Sequence, residues 1–279
     1  MGGKVLVLGG SGTVGRPLVK LLQEKGEAVK ASSRSGNQIE GAEGAVFEFG
    51  KPETFDAAFD GVDRAYVLLP SGYVNTKALL LPVIEAAVVR KIKVVFQSAM
   101  GVDADDSIPF RQIELALEKS GTPYVILRPN WFADNFHTFW KAGIDHGQIV
   151  VAAADGQTSF VDARDIAASA AAALTTSQFD GKAFNLTGPE ALSYTQAATL
   201  LSGIIGKPIA YKAVDDETFI GMLTGAGLAP DYAGYIASIF YPVRQGWTAA
   251  VTSDVEKLTG KPPRALRTYA GDNIGKLVG

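Results

Sequence analysis

The chain has 279 residues, enough for one or two domains at roughly 150 residues each. Apolar residues make up 47% and charged residues 20%, which is enough to bury a core and excludes disorder as the main state. Lys and Arg number 26 against 29 Asp and Glu, a net charge of −3, so no basic field invites nucleic acid or an anionic membrane surface.

The absence of Cys excludes disulfides, zinc-thiolate sites and Cys nucleophiles, and with only 2 His no metal is expected. Met1-Gly2-Gly3-Lys4 runs straight into a strand-like segment without the pattern of a secretory leader. No apolar run reaches the roughly 18 residues of a membrane helix. The expectation is a soluble cytoplasmic protein.

Val5-Leu6-Val7-Leu8 reads as the first strand. The segment from Leu18 to Leu22 has helical spacing and stops at Gly26, a residue suited to a helix C-cap. Ala28–Ala31, Ala45–Phe49 and Ala65–Leu69 read as the next three strands. A helix from about Thr76 to Arg90 precedes a fifth strand at Val94–Gln97, and one from about Phe110 to Lys119 precedes a sixth at Tyr124–Leu127. Strands alternating with helices in this way imply right-handed crossovers and a parallel sheet, and near-continuous apolar strands imply helices on both faces. After Arg128 the rhythm loosens, with aromatics clustered in 131–140 and 232–247. The predicted fold is a doubly wound α/β domain over residues 1–150. Residues 151–279 are expected to hold the last strands of the sheet and a small, mostly helical lobe. The two are interleaved, with a return to the sheet at Ala183–Leu186. Asp162 and Asp165 precede an alanine-rich helix and suit its cap and positive end.

Directly after the first strand comes Gly9-Gly10-Ser11-Gly12-Thr13-Val14-Gly15. Glycine is needed there for a tight turn, for close approach of backbone to a pyrophosphate, and for packing of the next helix on the strand. The helix N-terminus adds free N–H groups and partial positive charge. The loop therefore points to a dinucleotide. At the end of the second strand an Asp or Glu would hold a ribose 2′-OH. Here the residues are Ala31-Ser32-Ser33-Arg34, and Glu27 lies too early. Ser33 and Arg34 suit a 2′-phosphate through charge-assisted contacts, which selects NADP(H) over NAD(H).

Ligands of open α/β sheets bind outside the carboxyl ends of the strands. The fourth strand brings Leu69, Pro70, Ser71 and Tyr73 to that edge; the fifth brings Ser98 and Ala99; the sixth brings Pro129, Asn130, Trp131 and Phe132. Ser98 equally suits capping of the following turn. Trp131, Phe132, Phe136, Phe139 and Trp140 divide between pocket and core on spacing alone. His137 is either a proton donor or an ordinary helix residue, and Asp103, Asp105 and Asp106 read as a solvated acidic loop. Tyr232 and Trp247 belong to an aromatic set that serves equally as a wall for a flat guest, as lobe packing, or as a homodimer face.

Taken together, the Gly9–Gly15 loop, Arg34, the stretch Leu127-Arg128-Pro129-Asn130-Trp131-Phe132-Ala133-Asp134-Asn135-Phe136, the stretch Phe160-Val161-Asp162-Ala163-Arg164-Asp165-Ile166-Ala167 and the tail from Thr252 to Arg264 resemble the NmrA-like atypical short-chain dehydrogenase/reductases. The likeness is to the branch of festuclavine and agroclavine dehydrogenases, triphenylmethane reductase and NADPH-quinone reductases. It implies a Rossmann-type fold and hydride transfer from NADPH to a planar small-molecule acceptor. It carries a place beside the nicotinamide onto Pro70, Ser98, Pro129 and Phe132, and a carboxamide- or substrate-orienting role onto Asn135. The candidate catalytic residues are Tyr73, Ser98 and Asn135, and the candidate substrate contacts are Tyr73, Trp131, Phe132, Phe136, Tyr232 and Trp247. Other members of the wider family are cofactor-sensing regulators without turnover, a second expectation for this chain.

Two departures stand out. Where many relatives carry Gly-Asp after the third strand, this chain has Phe49-Gly50. The Tyr-x-x-x-Lys acid pair of ordinary short-chain dehydrogenases is missing from the start of the helix after the fifth strand, which reads Asp106-Ser107-Ile108-Pro109-Phe110. The spacing occurs only at Tyr73-Val74-Asn75-Thr76-Lys77, which would make Tyr73 the acid of a carbonyl reductase. Ketone reduction gains typically 10²–10⁴-fold from a positioned acid. Quinones, imines, iminium compounds and cationic dyes take hydride without concerted protonation and fit a site that lacks one.

Overall fold

The computed structural model describes residues 2–278. Its strands in chain order are β1 (Lys4–Val7), β2 (Val29–Ser33), β3 (Glu43–Val46), β4 (Val62–Val67), β5 (Lys93–Gln97), β6 (Tyr124–Pro129), β7 (Gln148–Val151), β8 (Gln157–Thr158), β9 (Lys182–Leu186), β10 (Leu192–Ser193) and β11 (Ala210–Ala213). Its α-helices are α1 (Gly15–Glu24), α2 (Phe55–Phe59), α3 (Thr76–Val89), α4 (Pro109–Glu118), α5 (Lys141–Asp145), α6 (Ala163–Thr175), α7 (Tyr194–Ile205), α8 (Asp216–Gly225), α9 (Pro230–Ser238), α10 (Tyr241–Arg244), α11 (Asp254–Thr259), α12 (Leu266–Asp272) and α13 (Ile274–Val278). None of the described helices is long and apolar enough to cross a membrane.

The chain divides into two compact units. The first runs to Pro129 and takes in Ala163–Leu186 and Asp254–Lys261; the second holds Asn130–Asp162, Thr187–Ser253 and the segment from Pro262 on. The first crossing falls at Pro129, before the expected position 150, because the chain leaves the sheet where β6 ends. It comes back for α6 and β9.

In the first unit seven strands form one sheet in the order β3-β2-β1-β4-β5-β6-β9, with every neighbouring pair parallel. The chain winds outward from β1 to β3, then crosses to β4 on the other side of β1. That reversal makes the carboxyl ends of β1 and β4 the topological switch point, the place where sheets of this kind take ligands. Val5, Leu6 and Val7 are fully buried, as are Ala65, Tyr66 and Val67 of β4, which fits a sheet covered on both faces.

The edge strand β3 covers Glu43–Val46 rather than the expected Ala45–Phe49. The backbone at Gly36 lies against Gly44, whose absent Cβ would stand 2.1 Å from the Gly36 carbonyl oxygen. Past Val46 the chain turns inward, and Phe47 stacks on Phe55 at 4.8 Å between ring centres, with Phe49 and Phe59 edge-on. The helix α2 that holds Phe55 and Phe59 is five residues long, too short to show a period in the sequence.

The second unit is built on aromatic packing. Phe136, Trp140, Phe160, Tyr194, Phe219 and Phe240 are buried in one cluster, with Phe136 edge-on to Trp140 at 4.9 Å and to Phe160 at 5.1 Å. Two short ladders frame it, β7 parallel with β11 and β8 antiparallel with β10. Helix α7 starts at a capping box in which Ser193 and Gln196 satisfy each other's backbone N–H groups.

The turn from β1 to α1 is set by steric contact. Gly9 has φ of +68°, open to glycine. A Cβ on Gly10 would lie 2.9 Å from the Ala31 Cβ, and one on Gly15 would lie 2.1 Å from the Gly9 carbonyl oxygen and 2.8 Å from the Gly10 Cα. On Gly12 the nearest atom, the Gly9 oxygen, is 3.2 Å away. Gly15→Ala should therefore lower unfolding stability by about 1–3 kcal/mol through overpacking, and Gly12→Ala by clearly less, as read by urea denaturation. Phe47→Ala removes the centre of its aromatic cluster and should cost about 3–5 kcal/mol in the same assay.

Candidate functional site

The loop after β1 presents donors without acceptors. The N–H groups of Ser11, Thr13, Val14 and Gly15 donate to no acceptor among the described residues, and α1 has neither a side-chain cap nor an acidic residue in its first turn. Ten residues of helix stand behind these amides, so their end carries the full partial positive charge of a helix N-terminus. Ser11, Gly12 and Thr13 are exposed, while Val14 and Gly15 are buried and hold the turn in place. The Gly12 N–H closes the turn on the Gly9 oxygen at 2.9 Å. Ser32, which the sequence did not single out, anchors the loop from β2. Its carbonyl takes the Gly10 N–H at 3.0 Å and its hydroxyl takes the Gly9 N–H at 3.3 Å. This cradle fits a diphosphate.

At the end of β2, Ser33 is half-buried, with its hydroxyl 3.3 Å from that of Ser35. Arg34 is exposed and makes no ion pair or hydrogen bond among the described residues. Arg16, on the first turn of α1, is already paired with Glu40 at 3.0 Å. Glu27, set aside in the sequence as too early, pairs with Arg64 at 2.9 Å. Among the described residues no carboxylate therefore stands at the end of β2 where a ribose 2′-OH would be read, and the uncommitted guanidinium of Arg34 follows directly after it.

After β4 the loop carries Leu69 and Pro70, both half-buried, and Tyr73, which is 42% exposed. Tyr73 precedes α3 and Lys77 lies in its first turn, so the two do not share a helical face, and no hydrogen bond joins them among the described residues. The spacing Tyr73–Lys77 is thus not the i, i+4 helical pair that acid chemistry would need. Tyr66, on β4, is fully buried against Gln97, and desolvation pushes its titration up.

Where β5 and β6 end, Ser98, Glu114 and Arg128 form one buried cluster, with Asp103 and Arg111 at its edge. The Ser98 hydroxyl donates to Glu114 Oε1 at 2.5 Å. Arg128 donates from Nε to the same oxygen at 2.9 Å and from Nη2 to Oε2 at 2.7 Å, and its Nη1 reaches Asp103 at 2.5 Å. Arg111 adds a contact to Glu114 Oε2 at 3.0 Å. Its guanidinium is held charged by the hydrogen bonds it donates to Glu118 first, then to Glu114 and Asp106. Glu114 is wholly buried. The acidic loop read as solvated is therefore committed: Asp103 to Arg128, Asp106 to Arg111 at 3.1 Å, and Asp105 to the Ser107 N–H at 2.7 Å, a bond that holds the Asp105 carboxyl below its usual range.

In the second unit the motif residues separate by burial. The Asn130 amide donates to the Ser159 hydroxyl and the Thr248 carbonyl, both at 2.8 Å, and accepts the Trp131 N–H at 2.9 Å. It is a structural tie. Phe136 is fully buried in the aromatic cluster, which corrects the expectation that it touches substrate; it is a packing residue. Trp131 is half-buried, 4.6 Å from the Phe240 ring centre, and Phe132 is half-buried. The side-chain amide of Asn135 is half-buried and has no partner among the described residues. His137 Nδ1 bonds the Tyr269 hydroxyl, and desolvation lowers the His137 titration, so the ring is a packing partner rather than a free donor. Tyr232 stacks with Tyr235 at 6.2 Å, and Trp247, 58% exposed, stands edge-on to Tyr241 at 5.7 Å.

The model of the NmrA-like family matches residues 1–241. Among curated proteins the chain is 30% identical to the Prestalk A differentiation protein A of Dictyostelium discoideum, over 99% of this chain and 94% of that one. It is 30% identical to the NAD(P)H azoreductase of Xenophilus azovorans, over 95% and 96% of the two chains. Among solved structures, the NADPH-dependent quinone oxidoreductase QOR2 of Escherichia coli, complexed with NADPH, is alike in fold, with a TM-score of 0.84, 23% identity, and coverage of 97% of this chain and 99% of that one. With a family model over most of its length and relatives at this identity, the chain belongs to the NmrA-like family.

Proposed function

We propose that the chain is an NADPH-dependent reductase that passes hydride to a planar acceptor such as a quinone, an imine or iminium compound, or a dye. The observation that carries this reading is the pairing at the ends of β1 and β2: four unpaired backbone amides at the start of α1 beside an uncommitted Arg34 with no carboxylate in the ribose position. The amides of Ser11, Thr13, Val14 and Gly15 would take the diphosphate, with Gly9, Gly10 and Gly12 letting the backbone approach it. Ser33 and Arg34 would take the 2′-phosphate. A relative whose name states NAD(P)H azoreductase chemistry supports both the cofactor class and a flat acceptor.

The bound dinucleotide supplies the hydride, and the chain's own part is to hold, orient and exclude water. Leu69, Pro70, Ser98 and Pro129 end the strands that would border the reducing ring, and Phe132 and Asn135 follow in the family stretch. The acceptor class follows from the proton account. Tyr73 and Lys77 are unjoined, Tyr66 is buried, and α4 begins without Tyr or Lys. An acceptor that becomes a neutral amine, a leuco dye or a stabilised phenolate needs no acid from the protein. Trp131 and Tyr232, each partly exposed, and Trp247, which is 58% exposed, are the aromatic side chains we propose for contact with such guests.

The test is loss of NADPH absorbance against a panel of quinones, iminium compounds, azo dyes and cationic dyes. Consumption with at least one flat acceptor and none with simple ketones is expected. Tight NADPH binding without consumption of any would replace the reductase with the cofactor-sensing regulator. Arg34→Ala should weaken NADPH binding about tenfold while leaving NADH binding unchanged, because it removes a charge-assisted contact at an exposed position. Titration of protein fluorescence with each nucleotide measures both.

A further inference from the structure

The cluster at the ends of β5 and β6 is centred on a buried carboxylate. Glu114 lies on α4, wholly buried, and bonds Ser98, Arg128 and Arg111. We propose that Glu114 is a positioning residue that fixes Ser98 as a hydrogen-bond acceptor for an N–H group of the bound cofactor, the ring carboxamide. The inference rests on the cofactor reading given above and deepens it.

A serine hydroxyl has one proton and two lone pairs. Here the proton goes to Glu114 Oε1 at 2.5 Å. Glu114 cannot turn from it. Oε1 also takes Arg128 Nε at 2.9 Å, and Oε2 takes Arg128 Nη2 at 2.7 Å and Arg111 Nη1 at 3.0 Å. A carboxylate gripped by two guanidinium groups is an acceptor only. Turning the Ser98 proton elsewhere would strip a contact from a buried charge, which is costly. The Ser98 backbone is fixed as well, since its N–H donates to the Leu127 carbonyl at 2.9 Å. Ser98 is left with lone pairs. A group that approaches Ser98 Oγ must bring its own hydrogen. An amide N–H fits; a carbonyl, alkoxide or phenolate oxygen meets repulsion. The cluster that bars Ser98 from acting as an acid thus makes it a reader of the ring's substituent, and Glu114 acts on the cofactor only through it.

The experiment compares binding of NADP+ and its 3-acetylpyridine analogue, in which a methyl group replaces the amide nitrogen and its hydrogens. Isothermal calorimetry on the full chain reads both affinities. The wild-type chain is expected to bind NADP+ about three- to tenfold more tightly, the worth of one hydrogen bond. Ser98→Ala should bring the ratio close to one. Glu114→Gln should do the same where it folds, because Ser98 is then free to rotate and donate to the acetyl oxygen; circular dichroism reports the fold. If Glu114→Gln does not fold, Ser98→Ala decides alone. Equal wild-type affinities, or a ratio unchanged in Ser98→Ala, overturn the proposal and leave the cofactor reading standing. So does a folded Glu114→Gln that keeps the wild-type ratio. If the folded wild-type chain binds neither nucleotide, the cofactor reading falls and this inference with it.

Discussion

At Gly15 the helix, the loop and the strand meet with no room for a side chain. Its missing Cβ would overlap the Gly9 carbonyl, and the missing Cβ of Gly10 would press on Ala31. These contacts bring the start of α1 down onto the end of β1 and bring the loop against β2. The consequence is electrostatic. Unpaired amides at the positive end of a helix come to rest beside the residues that close β2, Ser33 and Arg34. On the proposed reading this packing produces the anion site, and no acidic or basic side chain of the loop has a share in it. The order of the sheet completes the arrangement. Because the chain reverses between β1 and β4, the carboxyl ends of those two strands form the switch point at which open sheets take ligands.

Much of the first unit was legible because its signals are local. The strands announce themselves by short apolar runs, and α1, α3 and α4 by helical spacing between them. The glycine loop is legible because only glycine tolerates the contacts just described. Legibility fails where the cause is distant. The end of β3 is set by the chain at Gly36 crossing Gly44, and Phe47 turns in to meet Phe55 and Phe59, none of which alternation within Ala45–Phe49 can report. The same holds for the site. Ser32 anchors the loop from a different strand. Ser98, Arg111, Glu114 and Arg128 are spread along the sequence and converge only when β5, α4 and β6 stand side by side. Asp103 looked like one of three solvated carboxylates until Arg128 reached it. In the second unit Phe136 and Trp131 belong to one motif and read alike, yet one is fully buried and the other keeps part of its ring uncovered.

The arginines of the first unit show why burial, rather than residue type, separates structure from recognition. Arg128 sits inside the protein with every contact made to Glu114 or Asp103. Removing a partner from such a pair leaves an uncompensated buried charge, so the cluster is a fixed frame and has little freedom to answer a ligand. Arg16 is exposed but already neutralised by Glu40. Arg34 is exposed and uncommitted, and solvation by water makes that state cheap. A phosphate arriving at Arg34 displaces water rather than a protein partner, so the attraction is not offset by a broken ion pair. On the proposed reading the frame and the reader are thus built from the same residue type and act in opposite ways. Arg128 immobilises the strand ends that would border a reducing ring, and Arg34 keeps its charge available for the far end of the same molecule.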